Sequence, residues 1–411
     1  MTGETLAART RLGRDFGRYW LSYTISALGD GALLSAGPLL VAQRSDDPAL
    51  VAGAAFVSQL PFLLFSLVAG AYVDRMDRRS VLIGANLLRG AALVALTSAV
   101  ALDGAGIPLI YATLFTVGCG DVLATGAASS LLPSLVPAGD LARANARIFG
   151  SFTVCDQLIG PPIGAALFVA GASLPFGLDA VTFFAAAVLV ARMTALPRPP
   201  VEQRDHLLRE VRDGVRWLWE HHVLRMLAVT ICIMNITFMG VMAVFVLYAR
   251  ERLHLGPTGY GLLLTASAVG GLVGTGFAAR LEARFGAGAL LRAGLVIEGL
   301  THVGLASTRS GYLAGAIMTV FGVHALVWGV VTVTIRQRVV PDPLRGRVNG
   351  VYALFSVGGA AVGALSGGWI AHGWGITAPF WVAAAVIAVL TAVVWRTFGA
   401  RMPREVAVEL A

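Results

Sequence analysis

Six ionisable side chains stand in stretches of this 411-residue chain that are otherwise almost free of charge. They are Asp30 between Gly29 and Gly31, Asp121 beside Gly120, Asp156, Glu298 with His302 one turn on, and His324. An ionisable group inside an apolar run costs about 2.5–3.5 kcal/mol on membrane-insertion scales, so each is a functional candidate by default. A carboxylate whose surroundings alternate between wet and dry can take up and release a proton. Asp30, Asp121 and Asp156 are the candidate proton carriers, and Asp30, with no basic neighbour in its own stretch, suits the role best. Each also has a structural reading, as a hydrogen-bond acceptor joining two helices, and Glu298 and His302 can satisfy one another. Enzyme chemistry has no footing in the sequence: there is no HExxH, no GxxxxGK[ST] phosphate loop and no Ser/His/Asp set in aqueous context. Without a nucleotide site the chain cannot itself be an ATP-driven pump, and no cofactor is expected. Cys119, Cys155 and Cys232 lie in apolar runs without metal-ligand spacing and read as small packing residues.

The elements that carry these groups are set by composition. Hydrophobic residues make up 57% of the chain and charged ones 13%, against about 25% charged in a typical soluble domain. That excludes a soluble enzyme, a disordered chain and a nucleic-acid binder, despite the net charge of +8. The apolar stretches are long runs rather than ten-residue alternations, which argues against an outer-membrane barrel. At about 20 residues per crossing, the chain is expected to be an all-α membrane protein of twelve spans, near 17–42, 49–73, 80–102, 107–131, 145–171, 174–194, 223–249, 257–280, 287–306, 311–335, 348–372 and 375–396. The first apolar segment, Tyr19 to Val41, is too long for a signal-peptide core. All 31 basic residues are Arg, and only Arg44, Arg250, Arg252 and Arg309 fall on one of the two faces. The positive-inside rule then places both termini in the cytoplasm.

Val136-Pro137, Arg143 and Asn145 recur 204 residues later as Val340-Pro341, Arg347 and Asn349, each set just before a Gly-rich span. This predicts two six-helix halves in parallel order, related by a pseudo-twofold axis, with a site between them. The expected divisions are 1–194, a cytoplasmic linker at 195–222 and 223–411. In the linker, Leu207, Leu208, Val211, Val215 and Leu218 fall near helical spacing with Arg209, Arg212 and Arg216 between them. They predict an amphipathic helix lying on the inner membrane surface.

Between spans 2 and 3 runs Gly70-Ala-Tyr-Val-Asp74-Arg75-Met-Asp77-Arg78-Arg79. Gly70 permits close helix contact, and Asp74 at the membrane edge can accept from arginines or from a helix N-terminus. Span 5 contains Asp156-Gln157-Leu-Ile-Gly160-Pro161-Pro162-Ile-Gly164, and span 11 has Gly358-Gly359 and Gly363. Glycine and proline in a membrane helix allow close packing and a bend. The loop resembles the G-x-x-x-D-R-x-x-R-R signature of the major facilitator superfamily, and the resemblance extends over essentially the whole chain. Span 5 is similar to that superfamily's antiporter signature, with Cys155 to Gln157 in place of its first glycine. Segments such as Phe16-Gly-Arg18-Tyr-Trp20 and Leu135-Val-Pro137 look like the branch holding macrolide and enterobactin exporters.

The resemblance implies a multi-pass protein of the bacterial cytoplasmic membrane, a monomer whose partners are lipid and a small-molecule substrate, not nucleic acid. It would export a bulky, largely apolar compound in exchange for protons, by alternating access. It also implies a cavity lined by spans 1, 4, 7 and 10, hence by Asp30, Asp121, Asn235, His324 and Trp328. The cytoplasmic gate would be Gly70, Asp74, Arg75, Arg78 and Arg79 with Arg143 and Arg347. Gly160, Pro161, Pro162, Gly164, Gly358, Gly359 and Gly363 would form the packing and hinge positions. Arg89, some ten residues into span 3, is expected to snorkel or to join the loop cluster. An importer or uniporter of a nutrient on the same fold is the alternative, and a non-transporting membrane scaffold or sensor a third reading.

Overall fold

The computed structural model describes residues 12–73, 76–194, 207–341 and 344–401. Among them are fourteen α-helices, introduced here in chain order: α1 (Arg14–Arg44), α2 (Pro48–Val73), α3 (Arg78–Ala101), α4 (Ile107–Leu135), α5 (Ala138–Ala170), α6 (Leu174–Ala191), α7 (Leu207–Glu220), α8 (His222–Met242), α9 (Phe245–Glu251), α10 (Pro257–Phe285), α11 (Ala287–Ser307), α12 (Gly311–Val339), α13 (Arg345–Trp374) and α14 (Ala378–Val394). Eleven of these are long and apolar enough to cross a membrane; α14, with 17 residues, is a shorter apolar helix. Starts carry the expected chemistry. Pro108, Pro175, Pro257 and Pro379 sit in first turns, where a missing N–H costs nothing.

Helix α5 is not regular. Phe152–Ile159 is π-helical, and the Gly160 amide donates to the Cys155 carbonyl, one residue beyond the α register. Pro161 and Pro162 follow, and each removes an amide donor and crowds the preceding turn. The widened turn absorbs that crowding.

The helices pair in one pattern that occurs twice. In residues 14–191, α1 packs on α5 and α6, α2 on α4, and α3 on α4 and α6; in residues 222–394, α8 packs on α13 and α14, α10 on α12, and α11 on α12 and α14. Glycines make the closest of these contacts. A Cβ on Gly164 would lie 2.2 Å from the Ala32 carbonyl oxygen, one on Gly363 2.3 Å from that of Ile236, and one on Gly359 2.5 Å from that of Cys232. Gly358 differs: its Cβ would meet only Leu63, at an ordinary 3.8 Å. The tightest approach in α13 is Gly367, 2.0 Å from the Gly240 carbonyl, in the Gly-rich span that the sequence singles out.

Across the two sets, α2 packs on α13 and α5 on α10. One hydrophobic cluster joins both sets at the Arg-poor end, including Leu40 and Val51 from the first, and Phe245, Tyr248 and Phe380 from the second. At the Arg-rich end the clusters are separate: one is drawn wholly from residues 12–193 and another from 218–398. The two sets therefore meet at the Arg-poor end and part at the Arg-rich end.

Helix α7 forms as its pattern requires, and Val215 and Leu218 on its apolar side face protein. Leu218 is 1% exposed and shares a cluster with Val348 and Val351 of α13. Val215 and Leu218 of the expected stripe thus lie against protein. Residues 195–206 of the expected linker lie outside the described residues.

Candidate functional site

Four carboxyl groups and one guanidinium converge midway along the first helix set. Asp30 on α1 lies within electrostatic reach of Asp121 on α4, Asp179 on α6, Asp156 on α5 and Arg89 on α3. Arg89 donates to Asp121 Oδ1 and, at 2.5 Å, to Asn86 Oδ1, and its guanidinium stacks 4.1 Å above the Phe183 ring. The side chain is 6% exposed, so it neither snorkels nor joins the loop cluster. Its Cα lies roughly 16 Å along α3 from Arg78, too deep for the side chain to turn back to the edge, and it points across at α4.

Small residues make this convergence possible. A Cβ on Gly120 would lie 2.5 Å from Arg89 Cγ, one on Gly29 2.1 Å from Asp179 Oδ1, and one on Gly31 2.3 Å from the Asp156 carbonyl oxygen. The glycines flanking Asp30 and Asp121 thus clear space for the charged groups and backbone facing them. Asp179 is fully buried; Thr182 donates to its Oδ1 at 3.1 Å, and Oδ2 has no hydrogen-bond partner. Sequence reasoning missed Asp179, Asn86 and Phe183. The rule that selected Asp30, a carboxylate inside an apolar span, would have found Asp179 too.

The other candidates lie elsewhere. Asn235 on α8 donates to Ile231 O at 2.8 Å and to Ser356 Oγ of α13 at 3.3 Å. His324 and Trp328 on α12 are 5% and 4% exposed and face α11, where Gly294 makes room for both rings.

Of the expected gate, Asp74 and Arg75 lie outside the described residues, and Gly70 is in the last turns of α2. Arg78 donates to the Ser130 carbonyl at 2.9 Å, near the end of α4. Arg79 donates to the carbonyls of Val190 and Ala191, which end α6. Cations on the unpaired carbonyls of helix C-termini are favourably placed. Asp77 caps α3, accepting from the Arg79 and Ser80 amides. Arg347 lies 3.9 Å from Asp213 of α7, and Arg143 is exposed on the first turn of the Leu141–Ser151 stretch of α5.

At the Arg-poor end, two polar contacts bridge the helix sets. Arg250 of α9 pairs with Asp46 at 2.7 Å and donates to the Ala42 carbonyl at 2.9 Å. His372, near the end of α13, bonds Asp47 at 2.9 Å. Partial burial pushes the Asp47 carboxyl up, but the Ala49 amide and His372 outweigh it and hold it below the usual carboxylate range. A lowered folded value means these contacts contribute fully above the ordinary value of about 3.9 and are lost as the pH falls through the lowered one. The Asp47 carboxyl is therefore ionised throughout pH 5–8. Exposed pairs are worth about 0–1 kcal/mol each. Arg250→Ala combined with Asp47→Asn is expected to raise maleimide labelling of a cysteine at buried Val51 by up to about tenfold at pH 7, in a chain whose three cysteines are alanine. Unchanged labelling would mean that apolar packing alone closes this end.

The profile of a family described as transmembrane secretion effector matches residues 12–408. The chain is 28% identical over 383 residues to the multidrug efflux pump Tap of Mycobacterium tuberculosis, covering 87% of each. It is 26% identical over 302 residues to the enterobactin exporter EntS of Citrobacter koseri, covering 72% of this chain and 71% of that one. Among solved structures, a bacterial homologue of the iron transporter ferroportin in its inward-facing state superposes with a TM-score of 0.76 at 18% identity, covering 94% of this chain and 99% of that one. The same homologue in its outward-facing state gives 0.62 at 18% identity, covering 95% and 100%.

Proposed function

Since the chain belongs to the transmembrane secretion effector family of MFS-type transporters, and is thus a multi-pass membrane transporter and not an enzyme, we propose that it is a proton-coupled exporter of a bulky, largely apolar small molecule in the bacterial cytoplasmic membrane. The observation that carries this is the Asp30–Arg89–Asp121–Asp156–Asp179 cluster. Fully ionised, four carboxylates around one guanidinium leave three negative charges in excess, which a membrane interior does not hold. Bound protons balance them, and a cluster that balances charge with protons exchanges them when its access to water changes sides. Names of relatives, a multidrug pump and an enterobactin exporter, support outward transport.

In this reading the chain crosses the membrane twelve times, as two six-helix halves, with both termini and the Arg-rich end in the cytoplasm. The described conformation then faces inward. Substrate enters between the separated clusters of the two halves. The halves rock on the contacts of α2 with α13 and of α5 with α10, the Arg250–Asp46 and His372–Asp47 bridges part, and the Arg-rich end closes with the Asp74 loop as its gate. A proton from outside then binds at Asp30 or at a neighbouring carboxylate, favours release of substrate and resets the cycle.

The test is proton release from energised inverted vesicles, followed with a quenched pH dye against a panel of antibiotics, dyes and siderophores. Wild type is expected to restore dye signal with at least one compound, and Asp30→Asn to abolish the response. Recovery that persists in Asp30→Asn moves the proton to Asp121 or Asp156. Silence across the panel, from inserted protein, favours the nutrient importer.

A further inference from the structure

A second group of ionisable side chains lies in α11 and α12 and has no part in the cycle above. Glu298 Oε2 is 2.8 Å from His324 Nε2, and Glu298 Oε1 is 3.5 Å from His302 Nε2. Glu298 and His302 are each 1% exposed and His324 5%. Glu298 is the twelfth residue of α11 and His324 the fourteenth of α12, so the group sits at mid-helix depth.

Among the described residues its surroundings bring no other charge. The charged groups acting on Glu298 are His302 and His324. Helix α14, which packs on α11, contains no Asp, Glu, Lys, Arg or His. Helix α10, which packs on α12, meets it near Gly322 through Ser267 and Gly271, while its Arg280, Glu282 and Arg284 lie in its final turns. Helix α8 contributes Phe238, stacked on Phe321. Arg292 of α11 is turned to the Trp395 carbonyl at 2.8 Å.

With both imidazoles neutral and the carboxylate ionised, the group holds one uncompensated negative charge in an apolar interior. One added proton makes it neutral, and a second makes it positive. Burial favours the singly protonated group over either neighbour. The geometry also leaves a place for that proton. His324 Nε2 faces Glu298, so its Nδ1 is the free nitrogen, and it is buried without a hydrogen-bond partner; so are both ring nitrogens of His302 and Trp328 Nε1. A Cβ on Gly294 would lie 2.9 Å from His324 Nδ1 and 3.0 Å from the Trp328 ring. Glycine at 294 lets the α11 backbone lie against that edge of the imidazole.

We propose that Glu298, His302 and His324 form a second proton-binding site, separate from the Asp30 cluster, that takes its proton at the unpartnered His324 Nδ1 beside Gly294. A hydronium ion gives its proton to His324 Nδ1 and leaves as water. The imidazolium keeps its Nε2–H bond to the Glu298 carboxylate, and release runs the same step in reverse.

The test is nitrogen-15 NMR of the full chain in lipid nanodiscs with its seven histidines labelled, the His324 signal being identified by its loss in His324→Gln. Wild type is expected to show His324 as imidazolium at pH 6 and to titrate reversibly as the pH is raised. In Glu298→Gln at pH 6 the imidazolium-to-neutral ratio is expected to fall at least about tenfold. A His324 ring that stays neutral from pH 5 to 8 in folded wild type would overturn the proposal without recourse to any variant. An unchanged ratio in Glu298→Gln would overturn the pairing with the carboxylate. No substrate is present, so this result stands or falls apart from the vesicle experiment on Asp30.

Discussion

Arg89→Ala is expected to destabilise the protein by about 3 kcal/mol, the lower end of the range for breaking a buried ion pair, and to abolish transport. The guanidinium is the one cation among the four carboxyl groups, it is 6% exposed, and it serves three partners at once: Asp121, Asn86 and the face of Phe183. Removing it strands Asp121 and Asn86 without a donor. The partial exposure of the Asp121 side chain, 32%, lets water recover some of the loss, which keeps the figure near the lower end. Arg89→Lys is expected to rescue little, because an ammonium cannot fork to two acceptors and stack on a ring together. Thermal unfolding in detergent, read for Arg89→Ala, Asp121→Ala and the double variant, measures the coupling. A double variant less destabilised than the sum of the singles is the expected result. Purely additive losses would show that the pair contributes nothing beyond its parts.

Gly164→Val and Gly363→Val are expected to insert in the membrane yet lose transport. At both positions the neighbour that a new Cβ would meet is backbone, Ala32 at 2.2 Å and Ile236 at 2.3 Å. Backbone cannot step aside as a flexible side chain can, so the helix pairs must separate. Overpacking of this kind costs about 1–3 kcal/mol, and here it falls on the helix pairs that hold each half together. Gly358→Ala is the control, since its Cβ would meet Leu63 at an ordinary 3.8 Å. Transport by Gly358→Ala near the wild-type level, with loss in the other two, would tie the effect to helix approach. Equal loss in all three would mean that glycine is needed for something other than contact.

Much of this arrangement was legible in the residues. Asp30, Asp121 and Asp156 stood out because a carboxylate inside an apolar run is costly, and the structure brings all three within reach of one another. The glycines beside them were visible as well, though not what they were for. Gly29 faces Asp179 and Gly120 faces Arg89, and contacts between residues more than thirty apart in the chain leave no trace in local spacing. Arg89 shows the limit most clearly. Its distance from the end of α3 suggested a side chain reaching for water, whereas its direction is fixed by where α4 and α6 stand.

Likewise the sequence placed His324 and Trp328 on a helix but not on which side of it. The packing of α11 on α12 turned them toward Glu298. The closure at the Arg-poor end, with Asp46 and Asp47 bonded to Arg250 and His372, rests on pairs 204 and 325 residues apart. By itself the sequence determined that the chain is helical and built for a membrane, which residues are out of place there, and where backbones approach closely, because those follow from hydropathy and side-chain size. Tertiary structure alone decided which charges meet and at which end the two helix sets part, because those depend on how the helices are turned and leaned against one another.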